Sequence, residues 1–146
     1  MKVLVADDDA VLRRLIARII EREGGSVSMA EDGVDLWKKW EATRCEVILS
    51  DIDMPGQMDG VAACAEIQRR SPAALIFMMT GDPESADRAE RAGLRVAFRK
   101  PFLEEDVKNW LAALSRKKRA GGVIAGSRRS GGWRRPARRG GRSVSC

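Results

Sequence analysis

The 146-residue chain contains no histidine, and that one absence removes imidazole acid/base catalysis, Ser-His nucleophile pairs and His-ligated zinc together. Cysteine is scarce. Cys45, Cys64 and Cys146 are odd in number and have no metal-type spacing, so the expectation is reduced thiols in a cytoplasmic protein. No apolar run approaches a membrane span: MKVLVA runs straight into DDD, and AALIFMM is far too short. No membrane partner is expected. Any chemistry must run on carboxylates, hydroxyls, amines or thiols.

Acids are missing from one region altogether. Residues 115–146 hold 11 Lys and Arg with no Asp or Glu, whereas residues 1–114 hold 16 basic and 21 acidic residues, a net −5. The whole-chain value of +6 therefore averages two unlike pieces. The length suits one folded domain, placed here at 1–114. The remainder, SRKKRAGGVIAGSRRSGGWRRPARRGGRSVSC, is rich in Arg and Gly without a periodic apolar stripe and is expected to be a disordered tail. Two uses fit it: an arm for nucleic acid or an acidic partner, with Trp133 available for stacking, or a solvated basic extension. No helix-turn-helix or enzymatic domain can be built from it.

Within 1–114, short apolar runs alternate with amphipathic segments. KVLVA (2–6), VILS (47–50), LIFMM (75–79), VAF (96–98) and the weaker VSMA (27–30) read as buried strands. Between them, Val11, Leu12, Leu15, Ile16, Ile19 and Ile20 form one helical stripe closed by Gly24-Gly25, and Leu36, Trp37 and Trp40 form another. Val61, Cys64, Ala65 and Gln68 with Ile67 suggest a third helix, Ala86 and Ala89 a fourth, and Val107, Trp110, Leu111 and Leu114 a fifth. Strict alternation with continuous apolar strands predicts an α/β fold, a five-stranded parallel sheet with helices on both faces.

In open parallel sheets the ligand crevice lies outside the carboxyl ends of the strands. Polar residues stand at those ends here: Asp7, Asp8 and Asp9 after the first run, Asp51 and Asp53 after the third, Thr80 after the fourth and Lys100 after the fifth. Singly, each has a structural explanation. One aspartate of the triplet is enough to cap the following helix, and Asp82 before Pro83 reads as an ordinary N-cap. Together at four strand ends they form a constellation. Two carboxylates about 4 Å apart repel by roughly 4 kcal/mol at an effective dielectric near 20, so clustered acids imply a raised pKa or a bound cation. With oxygen ligands alone, Mg2+ fits best, and beside it Lys100 and Thr80 would serve a phosphoryl group.

VLVADDD, ILSDIDMPGQMDG, MMTGD and AFRKPF, in that order over residues 1–114, resemble the receiver domain of two-component response regulators. The resemblance implies the flavodoxin-like strand order 2-1-3-4-5. It implies that Asp51 accepts a phosphoryl group from a phosphohistidine on a partner histidine kinase or histidine phosphotransfer protein, then switches binding of a downstream protein target. It further implies Mg2+ held by Asp8 directly, Asp7 through water, Asp51, and the backbone carbonyl of Asp53. Lys100 and Thr80 would contact the phosphoryl group, and Lys100-Pro101 is a candidate cis bond. Such a domain is not an enzyme beyond its own phosphorylation and dephosphorylation.

Besides the basic tail, two features depart from the family pattern. Gln57 lengthens the loop after Asp53 by one residue, and Ala97 stands where the family often has Tyr or Phe. Phe98 is expected on the opposite strand face from Ala97, unable to replace that aromatic without a register change. A rival reading comes from Asp51-Ile52-Asp53, which also resembles the DxD motif of haloacid-dehalogenase-type phosphatases, although there the nucleophile lies in the first strand.

Overall fold

Each apolar run becomes a strand and each amphipathic segment a helix. In a computed structural model, which describes residues 1–119, the elements are β1 (Lys2–Ala6), α1 (Ala10–Arg22), β2 (Ser26–Ala30), α2 (Gly33–Thr43), β3 (Val47–Asp51), α3 (Gly60–Arg70), β4 (Leu75–Thr80), α4 (Pro83–Arg91), β5 (Arg95–Arg99) and α5 (Glu104–Arg119). All strand pairs are parallel, in the order β2-β1-β3-β4-β5. This is the flavodoxin-like order that the resemblance implied.

The central strands have no polar face because helices cover both. Leu4, Ile48, Ile52, Ile76 and Met78 pack beneath α2, α3 and α4, against Leu36, Trp40, Cys64, Ile67 and Ala89. On the other face Val3, Val5, Val47, Leu49, Phe77 and Met79 meet α1 and α5 through Ile16, Ile19, Ile20, Val107, Trp110, Leu111 and Leu114. Helix starts are set by aspartates: Asp9, Asp32, Asp59 and Asp82 cap α1 to α4 with side-chain oxygens on the first free N–H groups. Asp82 is thus the N-cap its Asp-Pro context indicated.

Four details differ from the sequence-based expectations. The α1 stripe centres on Ile16, Ile19 and Ile20, leaving Val11 78% and Leu15 47% exposed, because at 3.6 residues per turn these two fall to its side. In α3 the buried set is Gly60, Ala63, Cys64 and Ile67, with Val61, Ala65 and Gln68 only half-buried at its margin. α5 continues to Arg119, so residues 115–119 of the expected tail are helical, and Lys118 pairs with Glu46 at 2.8 Å. Lys and Arg are good helix formers, and their charge masked that continuation. The rest of the basic segment, 120–146, lies outside the described residues.

The fourth difference concerns β5. Its pairing runs Met78 to Val96 and then Met79 to Phe98, so Ala97 is the extra residue of a bulge. The bulge supplies the register change that would otherwise be needed to turn Phe98. Phe98 therefore shares the α1/α5 face with Ala97 instead of opposing it, 4.6 Å from Phe102 and 6.2 Å from Trp110 between ring centroids.

Candidate functional site

Four strand ends converge on one edge. Asp7 follows β1 and is wholly buried; its Oδ1 accepts the Asp9 N–H at 2.9 Å and its Oδ2 accepts from Lys100 Nζ at 2.7 Å. Asp51, the last residue of β3, is 6% exposed and lies 3.3 Å from the same Nζ. Asp8 stays exposed, since Asp9 has taken the capping duty with bonds to the N–H groups of Val11 and Leu12. One carboxylate oxygen each from Asp7, Asp8 and Asp51 lies within 4.8 Å of the other two. Residues up to 93 positions apart, Asp7 and Lys100, thus share one pocket.

Lys100 enters from β5. Its backbone N–H bonds to the Thr80 carbonyl at 2.9 Å, and the peptide to Pro101 is cis. Thr80, at the end of β4, is buried; its hydroxyl accepts the Asp82 N–H at 3.1 Å and donates to Asp53 Oδ2 at 3.4 Å. Asp53 is placed differently from the other acids. Its carboxylate turns to α4, where Oδ1 accepts Ser85 Oγ at 3.0 Å and an Arg88 nitrogen at 3.2 Å.

The charges are unbalanced. Burial pushes the Asp51 carboxyl up to about 6, the negative Asp7 adds to the rise, and Lys100 offsets part of it. Burial likewise raises Asp7, against the pull of its hydrogen bond from Lys100. Burial works to lower Lys100, but Asp7 and Asp51 outweigh it and hold the ammonium above its ordinary value. One ammonium against three carboxylates leaves negative potential in a pocket whose candidate metal ligands are all carboxylate oxygens. That donor set suits a hard divalent cation that keeps several of its waters, which is how Mg2+ binds.

Close backbone packing holds the pocket in shape. A Cβ on Gly60 would lie 1.9 Å from the Asp51 carbonyl oxygen, so only glycine lets the start of α3 press against the end of β3. Sequence reasoning passed over Gly60, and also Asp59, Ser85 and Arg88. The spacing of Ser85 and Arg88, three apart on one helix, was a readable sign of a shared face.

A doubly covered parallel sheet in this order, with acids, a threonine and a lysine at its carboxyl edge, defines a receiver-type α/β domain. The chain belongs to the response regulator receiver domain family, whose family model matches residues 3–112. It is similar to the transcriptional regulatory protein ResD of Bacillus subtilis, 36% identical over 118 residues covering 80% of this chain and 48% of that protein. The chain thus spans about half the length of that relative. It is also similar to the chemotaxis protein CheY of Listeria monocytogenes, 30% identical over 110 residues covering 73% of this chain and 92% of CheY. Among solved structures, chemotaxis protein CheY4 of Vibrio cholerae superposes with a TM-score of 0.66 at 29% identity, covering 79% of this chain and 96% of that one.

Receiver domains are signalling phosphoacceptors, bind Mg2+ at an acidic site, and interact with histidine kinases and downstream targets. Among the described residues, no helix is long and apolar enough to cross a membrane.

Proposed function

We propose that Asp51 is the phosphoacceptor of this chain. The observation that carries this reading is the Asp51 carboxylate itself: buried at a strand end, 3.3 Å from Lys100, and grouped with Asp7 and Asp8. With its pKa raised to about 6, Asp51 is still mainly ionised at neutral pH and able to act as a nucleophile. A carboxylate oxygen attacks phosphorus, the new P–O bond forms, and the donor's P–N bond breaks with the electron pair leaving on imidazole. The donor is a phosphohistidine on a separate kinase or phosphotransfer protein, since this chain has no histidine.

Lys100 then pairs with a phosphoryl oxygen, and the Thr80 hydroxyl turns from Asp53 to donate to another. Asp8, Asp51 and the Asp53 backbone carbonyl would hold Mg2+, with Asp7 acting through water. When bound, the ion neutralises charge on the phosphoryl oxygens. The DxD phosphatase reading needs the Asp53 carboxylate as an acid/base beside Asp51. Instead it faces Ser85 and Arg88, outside the Asp7-Asp8-Asp51 group.

The test is incubation of the full chain with Mg2+ and acetyl phosphate, read by intact mass. The expected product is one base-labile phosphoryl adduct that disappears in Asp51→Asn and persists in Asp53→Asn. An adduct that survives Asp51→Asn, or sustained phosphate release abolished by Asp53→Asn, overturns the reading.

A further inference from the structure

α4 is attached to the rest of the domain in an unusual way. Its sequence PESADRAER contains no large apolar residue, and the side chains it buries are Ser85, Ala86 and Ala89. Two alanines offer little apolar area, so the polar contacts of this helix weigh more than such contacts usually do. Those contacts converge on one loop. Asp53 Oδ1 accepts from Arg88 Nη2 at 3.2 Å and lies 3.0 Å from Ser85 Oγ, whose single proton it shares with Asp82 Oδ2 at 2.9 Å, while Arg88 Nη1 reaches Asp59 Oδ2 at 3.1 Å. Asp59 in turn caps α3 through the Ala62 N–H at 2.8 Å. Arg88 therefore bridges two carboxylates on the segment joining β3 to α3, a geometry that suits a forked guanidinium. The other oxygen of Asp53 holds the Thr80 hydroxyl.

We propose that Ser85, Arg88 and Asp53 form a latch that keeps α4 on the β3–α3 loop and the Thr80 hydroxyl engaged away from Asp51, opposing phosphorylation. Ser85 and Arg88 are positioning residues: neither belongs to the acid pocket, and both act through Asp53. The inference rests on Asp51 being the phosphoacceptor. While the latch is closed, Thr80 shares its proton with Asp53, and a phosphoryl group gains that hydroxyl only when Asp53 releases it. The apparent affinity for a phosphoryl group is then reduced by the fraction of molecules with the latch open. Removing one arm raises that fraction.

The measurement is the midpoint for binding beryllofluoride, a phosphoryl analogue, to the full chain in saturating Mg2+. Ser85→Ala and Arg88→Ala are expected to lower it about three- to tenfold, the scale of one or two exposed charged contacts, and Arg88→Lys less, because an ammonium cannot fork between two carboxylates. Arg91→Ala removes the same charge one turn further along α4 and is expected to leave the midpoint unchanged. Hydrogen exchange of the α4 amides should quicken in Arg88→Ala before loading and in the wild type on loading. A midpoint that Ser85→Ala and Arg88→Ala leave unmoved, or that Arg91→Ala lowers equally, overturns the latch while the phosphoacceptor stands. A wild type that binds no analogue, or an Asp51→Asn variant that binds it as well, overturns the phosphoacceptor reading and the latch with it.

Discussion

α5 and α4 cover opposite faces of the same sheet and are held there by opposite means. α5 inserts Val107, Trp110, Leu111 and Leu114 into a cluster with Phe77, Phe98 and the valines of β1, and Trp110 meets Phe77 edge-on with ring centroids 5.4 Å apart. α4 buries two alanines and a serine and relies on a fork of charged bonds at the edge where the acids sit. The first arrangement releases its energy only when the domain unfolds. The second can be exchanged for another set of partners at small cost, since exposed ion pairs contribute about 0 to 1 kcal/mol each. The lesson is a division of labour: the apolar face stores stability, and the polar edge keeps the freedom to change.

The largest expected effect is on the apolar side. Trp110→Ala should destabilise the domain by about 3 to 5 kcal/mol, the usual range for removing a buried aromatic side chain. Urea unfolding checks it. Among the described residues the buried indole Nε1 has no hydrogen-bond partner, so Trp110→Phe should cost much less than alanine. If the alanine variant lost under 1 kcal/mol, the contrast between the two helices would be broken.

The next effect has the opposite sign and lies at the acid edge. Because Asp51 titrates at about 6 in the folded chain against 3.8 for the ordinary group, the native state binds more protons through that window. The resulting destabilisation is absent below pH about 4 and reaches its full size above about 6, so metal-free stability falls as pH rises between them. At 1.36 kcal/mol per unit, Asp51→Asn should stabilise the metal-free protein at pH 7 to 8 by up to about 3 kcal/mol, with no gain at pH 4. Thermal melts in a chelator at both pH values measure this. A destabilising substitution at neutral pH would show that the buried Asp51 carboxylate does not oppose folding.

Much of this layout was legible because strand ends announce themselves. An apolar run that stops on acids, as VILS does before Asp51, marks both a buried strand and the edge where it emerges. The triplet Asp7-Asp8-Asp9 could be read as cluster or cap, and only geometry divided it, giving Asp9 to α1 and the other two to the pocket. The bulge at Ala97 was not legible, since one extra residue in an edge strand leaves no mark on the apolar pattern, yet it decides which face Phe98 takes. The latch was hidden for another reason: it joins Asp53 to residues 32 and 35 positions later, and long-range polar contacts have no period. Helix α5 outran its expected end because periodicity stops at Leu114 while propensity does not.

The smallest effect tests the α4 side of the comparison most directly. Arg88→Ala removes bonds to two carboxylates that remain solvated, so global stability should change by no more than about 1 kcal/mol. Local opening should respond differently, because α4 has little apolar area to hold it once the fork is gone. Native-state hydrogen exchange separates the two. Amides of residues 83–91 should lose protection severalfold in the variant, while those of residues 107–114 keep the wild-type rate, their exchange being limited by unfolding of the whole domain. Equal loss in both helices would mean that α4 and α5 open together. The apolar face would then hold both of them, and the polar fork would carry no separate function.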